Sequence, residues 1–309
     1  MIGIRLGHQT NGGIGLATGS LKRNGRSEGI EARDLTSFLR TILKLEKNAT
    51  HTRCFRGQDC REWKVRPAIL RDYREGAEPA ILSELMVEAP LEFGTDKSMF
   101  SKLVRAQHYG LPTRLLDVTM NPLVAIYFAC CDTGSADGVV HIFDFNEDRV
   151  KFADSDAVSV ICNLAKLSHS ELQRIRAAYR EGGPWTKSKV TAFRQLAPVE
   201  RLIQFVRVEK PYFLNVIKPV DVAKYFFVYP EKTNRRVIAQ SGAFVAAGIL
   251  RFDGLEKSSG VVAHQIVIPS RCKSSIIDEL DQININSRSL FPEIESVSKY
   301  ISRRWVVPT

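Results

Sequence analysis

The stretch SKLVRAQHYGLPTRLLDVTMNPLVAIYFA, residues 101–129, sets polar groups between two apolar runs. Burying a polar group costs free energy unless it has a partner, so this stretch predicts a functional site as well as a core. Its apolar spacing predicts a helix over 97–109 that Gly110 ends, followed by the extended segment LPTRLLDVT. Asn121 is a favourable N-cap and Pro122 a favourable first helical residue, so PLVAIYFACC is predicted as a buried helix.

Shorter apolar patterns on both sides predict a chain in which strands and helices are mixed. One stripe with helical spacing comprises Leu35, Phe38, Leu39, Ile42 and Leu43. Strands are predicted near 52–57, 138–145, 202–208, 224–229, 243–248 and 262–268, and further helices at 78–91, 157–180, 234–241 and from 270. Strand and helix do not alternate regularly, which favours an α+β fold with a mixed or antiparallel sheet core and helical segments around it.

The 309 residues are enough to bury a substantial core. Residues 1–30 are glycine-rich and are predicted to form a flexible leader. Residues 31–309 are predicted to form the folded domain, with a basic helical insertion at about 155–210. The longest apolar run, residues 123–131, is too short to span a bilayer, and the N-terminus lacks the apolar centre of a secretory signal. These features predict a cytoplasmic protein that does not enter a membrane.

The six cysteines lack the spacing of metal ligands, so neither a metal site nor a disulfide framework is predicted. Two of them are adjacent, Cys130 and Cys131, and both lie in the apolar run. Small thiol side chains in such a run are usually packed in the interior. We therefore interpret both as core residues.

The net charge of +10 is concentrated in one part of the chain. Residues 166–210 hold ten basic and four acidic side chains, which is six of the ten excess positive charges. The stretch predicts a surface for nucleic acid or a polyanionic protein, on which Trp185 stacks beside three cations. These cations are Lys187, Lys189 and Arg194. The alternative is a solvated pair of helices with Trp185 buried against the core.

Five stretches carry a resemblance to a known family. They are CFRGQ (54–58), WKVRPAILR (63–71), which begins with a tryptophan, QHYGLPTRLLDVTMNPLVAIYFA, RRVIAQSGAF (235–244) and ININSRSLFPEIESVSKYI (283–301). In this order they resemble the FRG domain, a bacterial family named for its Phe-Arg-Gly motif. Here the motif is Phe55, Arg56 and Gly57. The resemblance covers most of residues 31–305 and implies a fold more than an activity.

A fainter resemblance links the same stretches to ADP-ribosyltransferases. CFRG is similar to the first element of their core, and TRLLDVTMNPLVAIYFA to the second, with Thr113 or Thr119 at the hydroxyl position. IAQSGAF would supply the third element through Gln240. The resemblance implies NAD as the substrate, with ADP-ribose transferred to a macromolecule or NAD hydrolysed by a bacterial toxin or defence effector. It also implies a partner protein of the same system.

Candidate site residues follow from these motifs and from the chemistry of the NAD reaction. A guanidinium fork binds two phosphate oxygens at once, and a glycine beside it allows a close approach of ligand to backbone. The candidate catalytic residues are Arg56, His108, Asp117 and Gln240. The candidate cofactor-binding residues are Arg56, Gly57, Gln58, Tyr109, Thr113, Arg114, Thr119 and Arg236. Although 52 positions separate them, Arg56 and His108 are expected to line one cleft.

Each candidate also has a purely structural alternative. Arg56 can pair with a core carboxylate such as Asp117, and His108 can cap helix carbonyls while Tyr109 packs in the core. Of Arg114 and Asp117, one is expected to face a cleft and the other to anchor the fold. The glutamate that most ADP-ribosyltransferases need does not occur in RRVIAQSGAF, where it is expected. The rival function is therefore a module that recognises a nucleotide or nucleic acid without catalysis.

Overall fold

A computed structural model describes residues 30–71, 73–132, 134–249, 254–303 and 305. Apart from Ile30, which begins the first strand, the predicted leader lies outside these described residues. The strands are β1 (Ile30–Glu31), β2 (Thr52–Gln58), β3 (Leu115–Thr119), β4 (Gly138–Phe145), β5 (Val150–Phe152), β6 (Tyr225–Tyr229), β7 (Gly242–Ala247) and β8 (Val261–Ile268). They form a single sheet in the order β1-β8-β4-β2-β3-β7-β6-β5.

Helices make up much of the remaining described chain. They are α1 (Leu35–Lys44), α2 (Ala77–Glu88), α3 (Pro90–Phe93), α4 (Met99–His108), α5 (Pro122–Cys130), α6 (Asp156–Asn163), α7 (His169–Gly182), α8 (Lys187–Arg194), α9 (Ala197–Glu209), α10 (Pro219–Val222), α11 (Arg235–Ala239), α12 (Lys273–Gln282), α13 (Ser287–Leu290) and α14 (Ile294–Arg303). Short 3-10 turns cover Ala68–Leu70, Glu147–Arg149, Leu164–Lys166, Leu255–Lys257 and Ser270–Cys272. No helix in the described ranges has both the length and the apolar character needed to cross a membrane.

The sheet is mixed and mainly antiparallel. Parallel pairing occurs between β1 and β8 at one edge and between β5 and β6 at the other. The five other pairs of neighbouring strands are antiparallel. An eight-stranded mixed sheet with helices packed on it confirms the α+β prediction.

The two faces of the sheet are covered differently, and side chains alternate between them along each strand. One face, which carries Phe55, Leu115 and Phe244, packs against helices in two hydrophobic clusters, and we call it the helix face. The other carries Cys54 and Leu116 and has a single smaller cluster, and we call it the loop face. Part of its cover comes from the irregular segment 59–71, whose buried apolar side chains join that cluster.

The opening stretch folds as predicted. Ser98 caps α4, and Gly110 follows the helix with a positive φ of 88°, a backbone conformation that favours glycine. After β3, the side chain of Asn121 accepts a hydrogen bond from the backbone N–H of Leu123, 2.9 Å away, and Pro122 is the first residue of α5. All but three residues of α5 are buried, which agrees with its nearly continuous apolar sequence.

The sequence-based prediction of a strand near 202–208 is wrong. This segment belongs to α9, where Leu202, Ile203 and Val206 are buried on one side of the helix. These spacings of one and four residues fit a helical turn as well as they fit an apolar strand, so the apolar run alone was ambiguous. A second correction concerns Cys131, which follows the last residue of α5 and is exposed, whereas Cys130 is buried as predicted.

The basic stretch 166–210 lies in the crossover between the parallel strands β5 and β6. Its helices are not peripheral, because Leu172, Ile175 and Phe193 belong to the largest hydrophobic cluster together with residues of α4 and β7. Trp185 is also used in packing. Its ring stacks on Tyr179 with centroids 6.2 Å apart and meets Phe193 edge-on at 5.5 Å. These contacts favour the alternative in which Trp185 packs against the core, and binding of a partner by this stretch stays a prediction.

Candidate functional site

A groove of about 490 Å³ lies at the C-terminal end of α4, and we call it the α4 groove. Its charged and ionisable lining comes from three separate parts of the chain. They are the last residue of α4, the first turn of α11 and the residues that lead into α14. The lining residues are His108, Asn234, Arg235, Arg236, Pro292, Glu293, Ile294 and Val297.

Aromatic packing fixes the wall of the groove. The ring of Phe291 meets Phe128 of α5 edge-on, with centroids 5.9 Å apart. The guanidinium of Arg236 lies over the ring of Phe291, 4.7 Å from its centroid. A cation over an aromatic face is favourable, so Phe291 holds Arg236 toward the groove. Asn234 caps α11 by accepting from the backbone N–H of Arg236 at 2.8 Å.

The imidazole of His108 and the carboxylate of Glu293 face each other across the groove. Nε2 of His108 is 3.8 Å from Oε1 of Glu293, an ion-pair separation that is too long for a hydrogen bond. Partial burial lowers the pKa of His108, Arg236 lowers it further, and Glu293 acts in the opposite direction. The imidazole is therefore neutral near pH 7 and can accept a proton. The other oxygen of Glu293, Oε2, is buried and has no hydrogen-bond partner among the described residues.

Gln240 and Thr119 fix the backbone behind this groove. The amide of Gln240 donates to the carbonyl of Leu290 at 3.0 Å, one residue before the Phe291 wall. The hydroxyl of Thr119 donates to the carbonyl of Gln240 at 2.7 Å and accepts from the backbone N–H of Asn121 at 3.0 Å. Both predicted site residues therefore have structural contacts, and the side chain of Gln240 satisfies a backbone carbonyl.

Two further predicted cofactor ligands are committed to the interior. Arg114 is 4% exposed and forms a two-pronged ion pair with Glu78 of α2, with 2.9 Å between Nε and Oε1. Its Nη1 also donates to the carbonyl of Ile161 at 3.2 Å. Thr113 is 1% exposed, and its hydroxyl donates to the side chain of Gln107. The structure gives both residues a structural role instead of the predicted cofactor contact, because their donors are already paired inside the fold.

Tyr109 lies at the rim, beside His108. It is 55% exposed, so the alternative in which it packs in the core is wrong. Its hydroxyl donates to Oε2 of Glu92 at 2.6 Å, and its ring meets the imidazole of His108 edge-on with centroids 5.5 Å apart. Because the ring is open to solvent, Tyr109 can still contact a ligand in the α4 groove.

The expectation that Arg56 and His108 line one cleft is wrong. Strand alternation places Arg56 on the loop face, between Cys54 and Gln58, whereas α4 packs on the helix face. Nη1 of Arg56 donates to the backbone carbonyl of Asp117 at 2.6 Å. The alternative of an ion pair with the Asp117 carboxylate is therefore not formed either. The Asp117 carboxylate lies on the helix face, because it is two residues from Leu115, and it makes no hydrogen bond within the described residues.

The close approach that Gly57 permits is made by helix α5. A β-carbon built at this position would lie 1.8 Å from the carbonyl oxygen of Ala125 and 2.8 Å from the backbone nitrogen of Ala129. Phe55 points to the same face and packs against α5 in the core. The motif thus has two roles, because Phe55 and Gly57 pack against α5 while Arg56 points to the opposite side of the sheet.

Sequence reasoning missed Glu293 as a site residue. It lies in the motif-bearing stretch 283–301, but 185 positions from His108. Tertiary contacts bring the two together, among them the packing of Phe291 against α5 and the hydrogen bond from Gln240 to Leu290. His141 was also missed, because a single histidine inside an apolar strand carries no signal of its neighbours. Its position directly opposite Arg56 follows from the strand register alone.

Comparison with known families agrees with part of the sequence-based resemblance. Residues 51–138 match the FRG domain. The FRG match contains the Phe-Arg-Gly motif and His108, while Arg236, Gln240 and Glu293 lie beyond it. No curated protein and no solved structure matches the chain. The FRG segment therefore supplies β2, β3, α4 and α5, and the later chain supplies the opposite wall of the α4 groove.

Proposed function

We propose that the α4 groove binds NAD and cleaves the bond between nicotinamide and ribose. The observation that carries this proposal is the position of Glu293, a carboxylate beside a neutral imidazole and a cation in one groove. The sequence lacks a glutamate in RRVIAQSGAF, and Glu293 provides the missing carboxylate from another part of the chain. As part of the same proposal, the mixed sheet of this chain corresponds to the sheet of ADP-ribosyltransferases.

The chemistry requires a group that stabilises positive charge on the sugar. When the bond between C1′ and the pyridinium nitrogen breaks, its electron pair leaves with neutral nicotinamide, and the ribose becomes an oxocarbenium ion. The carboxylate of Glu293 stabilises this cation electrostatically. A water or an acceptor hydroxyl then bonds to C1′ and loses a proton, which the neutral imidazole of His108 accepts. The products are nicotinamide and either ADP-ribose or an ADP-ribosylated acceptor.

The cations of the groove are suited to the pyrophosphate. Arg236 is held over Phe291 with its guanidinium at the groove, and Arg235 is exposed beside it. A guanidinium donates two parallel hydrogen bonds to phosphate oxygens. The exposed ring of Tyr109 at the rim is available to stack on nicotinamide or adenine. A cytoplasmic protein with this activity would draw on the cellular NAD pool, as a bacterial toxin or defence effector does.

The experiment is an assay of nicotinamide release from NAD by the purified full-length chain. Glu293→Gln keeps the size of the side chain and removes its charge, so we expect a loss of roughly 100-fold or more. The matched control is Glu295→Gln, two positions further on, whose carboxylate is exposed and pairs with Lys299. We expect this control to retain the activity of the unmodified chain. An equal loss in both variants would contradict the assignment of Glu293.

Calorimetric titration with NAD and AMP separates catalysis from recognition. The rival function of a non-catalytic nucleotide module would be favoured by two results together. NAD or AMP would bind, with an affinity that Arg236→Met lowers, and no nicotinamide would be released. Absence of both binding and release would overturn the proposal for the α4 groove altogether.

A further inference from the structure

A second polar cluster lies on the loop face, on the opposite side of the sheet from the α4 groove. Arg56 on β2 stands directly opposite His141 on β4. Gln58 is two residues further along β2 and therefore points to the same face. We call these three side chains the loop-face cluster. Cys54 and Phe143, which pair with each other next to Arg56 and His141 on this face, belong to the hydrophobic cluster of the loop face.

Four polar atoms of this cluster have no hydrogen-bond partner among the described residues. They are Nε of Arg56, Nε2 of His141, and both the nitrogen and the oxygen of the Gln58 amide. Gln58 is only 4% exposed, so solvent does not readily reach its amide. A buried polar atom without a partner costs about 1–3 kcal/mol, and a folded protein rarely leaves four such atoms together. This concentration indicates a polar ligand that meets them.

The chemistry of the four atoms defines the ligand. Nε of Arg56 and the amide nitrogen of Gln58 donate hydrogen bonds, and Nε2 of His141 donates in one tautomer of the neutral imidazole. The amide oxygen of Gln58 only accepts. A ligand that satisfies all four therefore presents three acceptor oxygens and one O–H donor. A phosphate group that keeps one proton has this composition, whereas sulfate has no proton to donate at neutral pH.

The charges around the cluster favour an anion. Burial lowers the pKa of Arg56 to about 10, Asp117 opposes this shift and Arg71 adds to it, so Arg56 remains a cation at pH 7. Burial, with Arg56 as a smaller cause, lowers the pKa of His141 to about 4, which keeps the imidazole neutral. The covering segment 59–71 holds four basic and two acidic residues. The site therefore has one buried positive charge beneath a basic loop.

We propose that the loop-face cluster binds a singly protonated phosphate group, held by Arg56, Gln58 and His141. Gln58 is 4% exposed, so the proposal is confined to a group small enough to contact these three side chains and does not extend to a dinucleotide. The site is thus separate from the NAD groove, and its ligand is either free inorganic phosphate or the terminal phosphate of a monoester. It gives the arginine of the Phe-Arg-Gly motif a binding role on the loop face.

The test measures thermal stability of the full chain in inorganic phosphate, in sulfate at the same ionic strength, and in AMP. Ligands that bind the folded state raise the melting temperature with concentration. Both anions stabilise folded proteins by exclusion from the surface, so we expect phosphate to raise the melting temperature by more than sulfate does. A rise with phosphate alone identifies the free ion. A rise with AMP that persists in Arg236→Met, the α4 groove variant, and disappears in Gln58→Leu identifies a monoester site. Equal rises with phosphate and sulfate would overturn the proposal.

Variants of Gln58 decide whether the cluster is the site. Gln58→Leu removes both unpartnered amide atoms at similar volume, so we expect phosphate affinity to fall by ~10-fold or more without loss of stability in phosphate-free buffer. Gln58→Glu keeps the shape of the side chain and repels the anion. It replaces Gln58→Leu in the phosphate titration if the leucine variant does not fold. The matched control is Gln107→Leu, a buried glutamine whose amide is already paired with Thr113. We expect this control to lose stability but keep the full response to phosphate. An unchanged phosphate response in both Gln58 variants would refute the site.

Discussion

Replacing Gly57 with alanine tests the packing of α5 against the sheet. The added β-carbon would lie 1.8 Å from the carbonyl oxygen of Ala125, whereas ordinary contacts of this kind begin at 3.4 Å. The helix would have to retreat by about 1.6 Å, the difference between these two distances. Neither partner can rotate away, because both atoms at the contact belong to the backbone or are bonded to it.

The expected cost is large because α5 is almost wholly buried. Forcing one extra methyl into a well-packed core costs about 1–3 kcal/mol, and a clash with backbone lies at or above the upper end of that range. We therefore expect Gly57→Ala to lower the free energy of unfolding by about 3 kcal/mol or more. This is a large fraction of the total stability of a typical domain, about 5–15 kcal/mol.

The assay is equilibrium unfolding in urea, with two other glycine variants as controls. Gly94 has an ordinary helical φ of −61°, and an alanine β-carbon there would have its nearest neighbour at 3.6 Å, so Gly94→Ala should change stability by no more than about 1 kcal/mol. Gly110 has open space around it but a φ of 88°, so Gly110→Ala should cost about 1–2 kcal/mol through backbone strain. A Gly57→Ala variant as stable as Gly94→Ala would refute the packing argument.

Three further outcomes follow from the contacts described above. Arg114→Met should cost about 3–5 kcal/mol, because it leaves the carboxylate of Glu78 buried without its partner, and adding Glu78→Leu should restore most of that stability. A double-mutant cycle measures this, and simple additivity of the two losses would contradict it. His141 is neutral in the fold with a pKa of about 4, against about 6.5 when unfolded. Its contribution to stability is therefore complete above pH 6.5 and lost as the pH falls to 4, by on the order of 3 kcal/mol. His141→Gln should reduce the change in the free energy of unfolding between pH 6.5 and pH 4. An unchanged dependence on pH would contradict a buried neutral imidazole. Trp185→Ala should lower stability by about 3 kcal/mol through lost aromatic packing. If the basic stretch 166–210 binds nucleic acid, affinity measured by titration at two salt concentrations should fall steeply with salt and persist in this tryptophan variant at temperatures where it is folded. If Trp185→Ala is as stable as the unmodified chain, the indole is not part of the core.

Local sequence determined most of the secondary structure. The cap at Asn121, the proline after it and the glycine at position 110 fixed the ends of α4 and α5, because each acts through its own backbone or its nearest neighbours. The strands predicted near 138–145 and 262–268 are likewise confirmed as β4 and β8. The error at α9 came from an apolar run that satisfies strand and helix spacing equally, and only its packing in the largest cluster resolves it.

The resemblance to the FRG domain was also accessible from sequence, because its motifs are short and contiguous. Residues 51–138 match the family and carry the first three of the five stretches in order, whereas the stretches at 235–244 and 283–301 lie outside the match. What those motifs do was not accessible in the same way. The motif alone does not show that Gly57 packs against a helix that begins 65 residues later, at Pro122, or that Arg56 points away from that helix. Such facts depend on which strand pairs with which.

The composition of the two polar sites was decided by tertiary structure alone. Hydrogen bonding between β2 and β4 places Arg56 opposite His141, and the packing of Phe291 on α5 places Glu293 beside His108. These partners are separated by 85 and 185 positions along the chain. The sequence by itself determined the elements, their caps and the motif, because these follow from interactions between near neighbours. It could not determine which polar side chains meet, because that follows from sheet register and helix packing, which are set by the whole core at once.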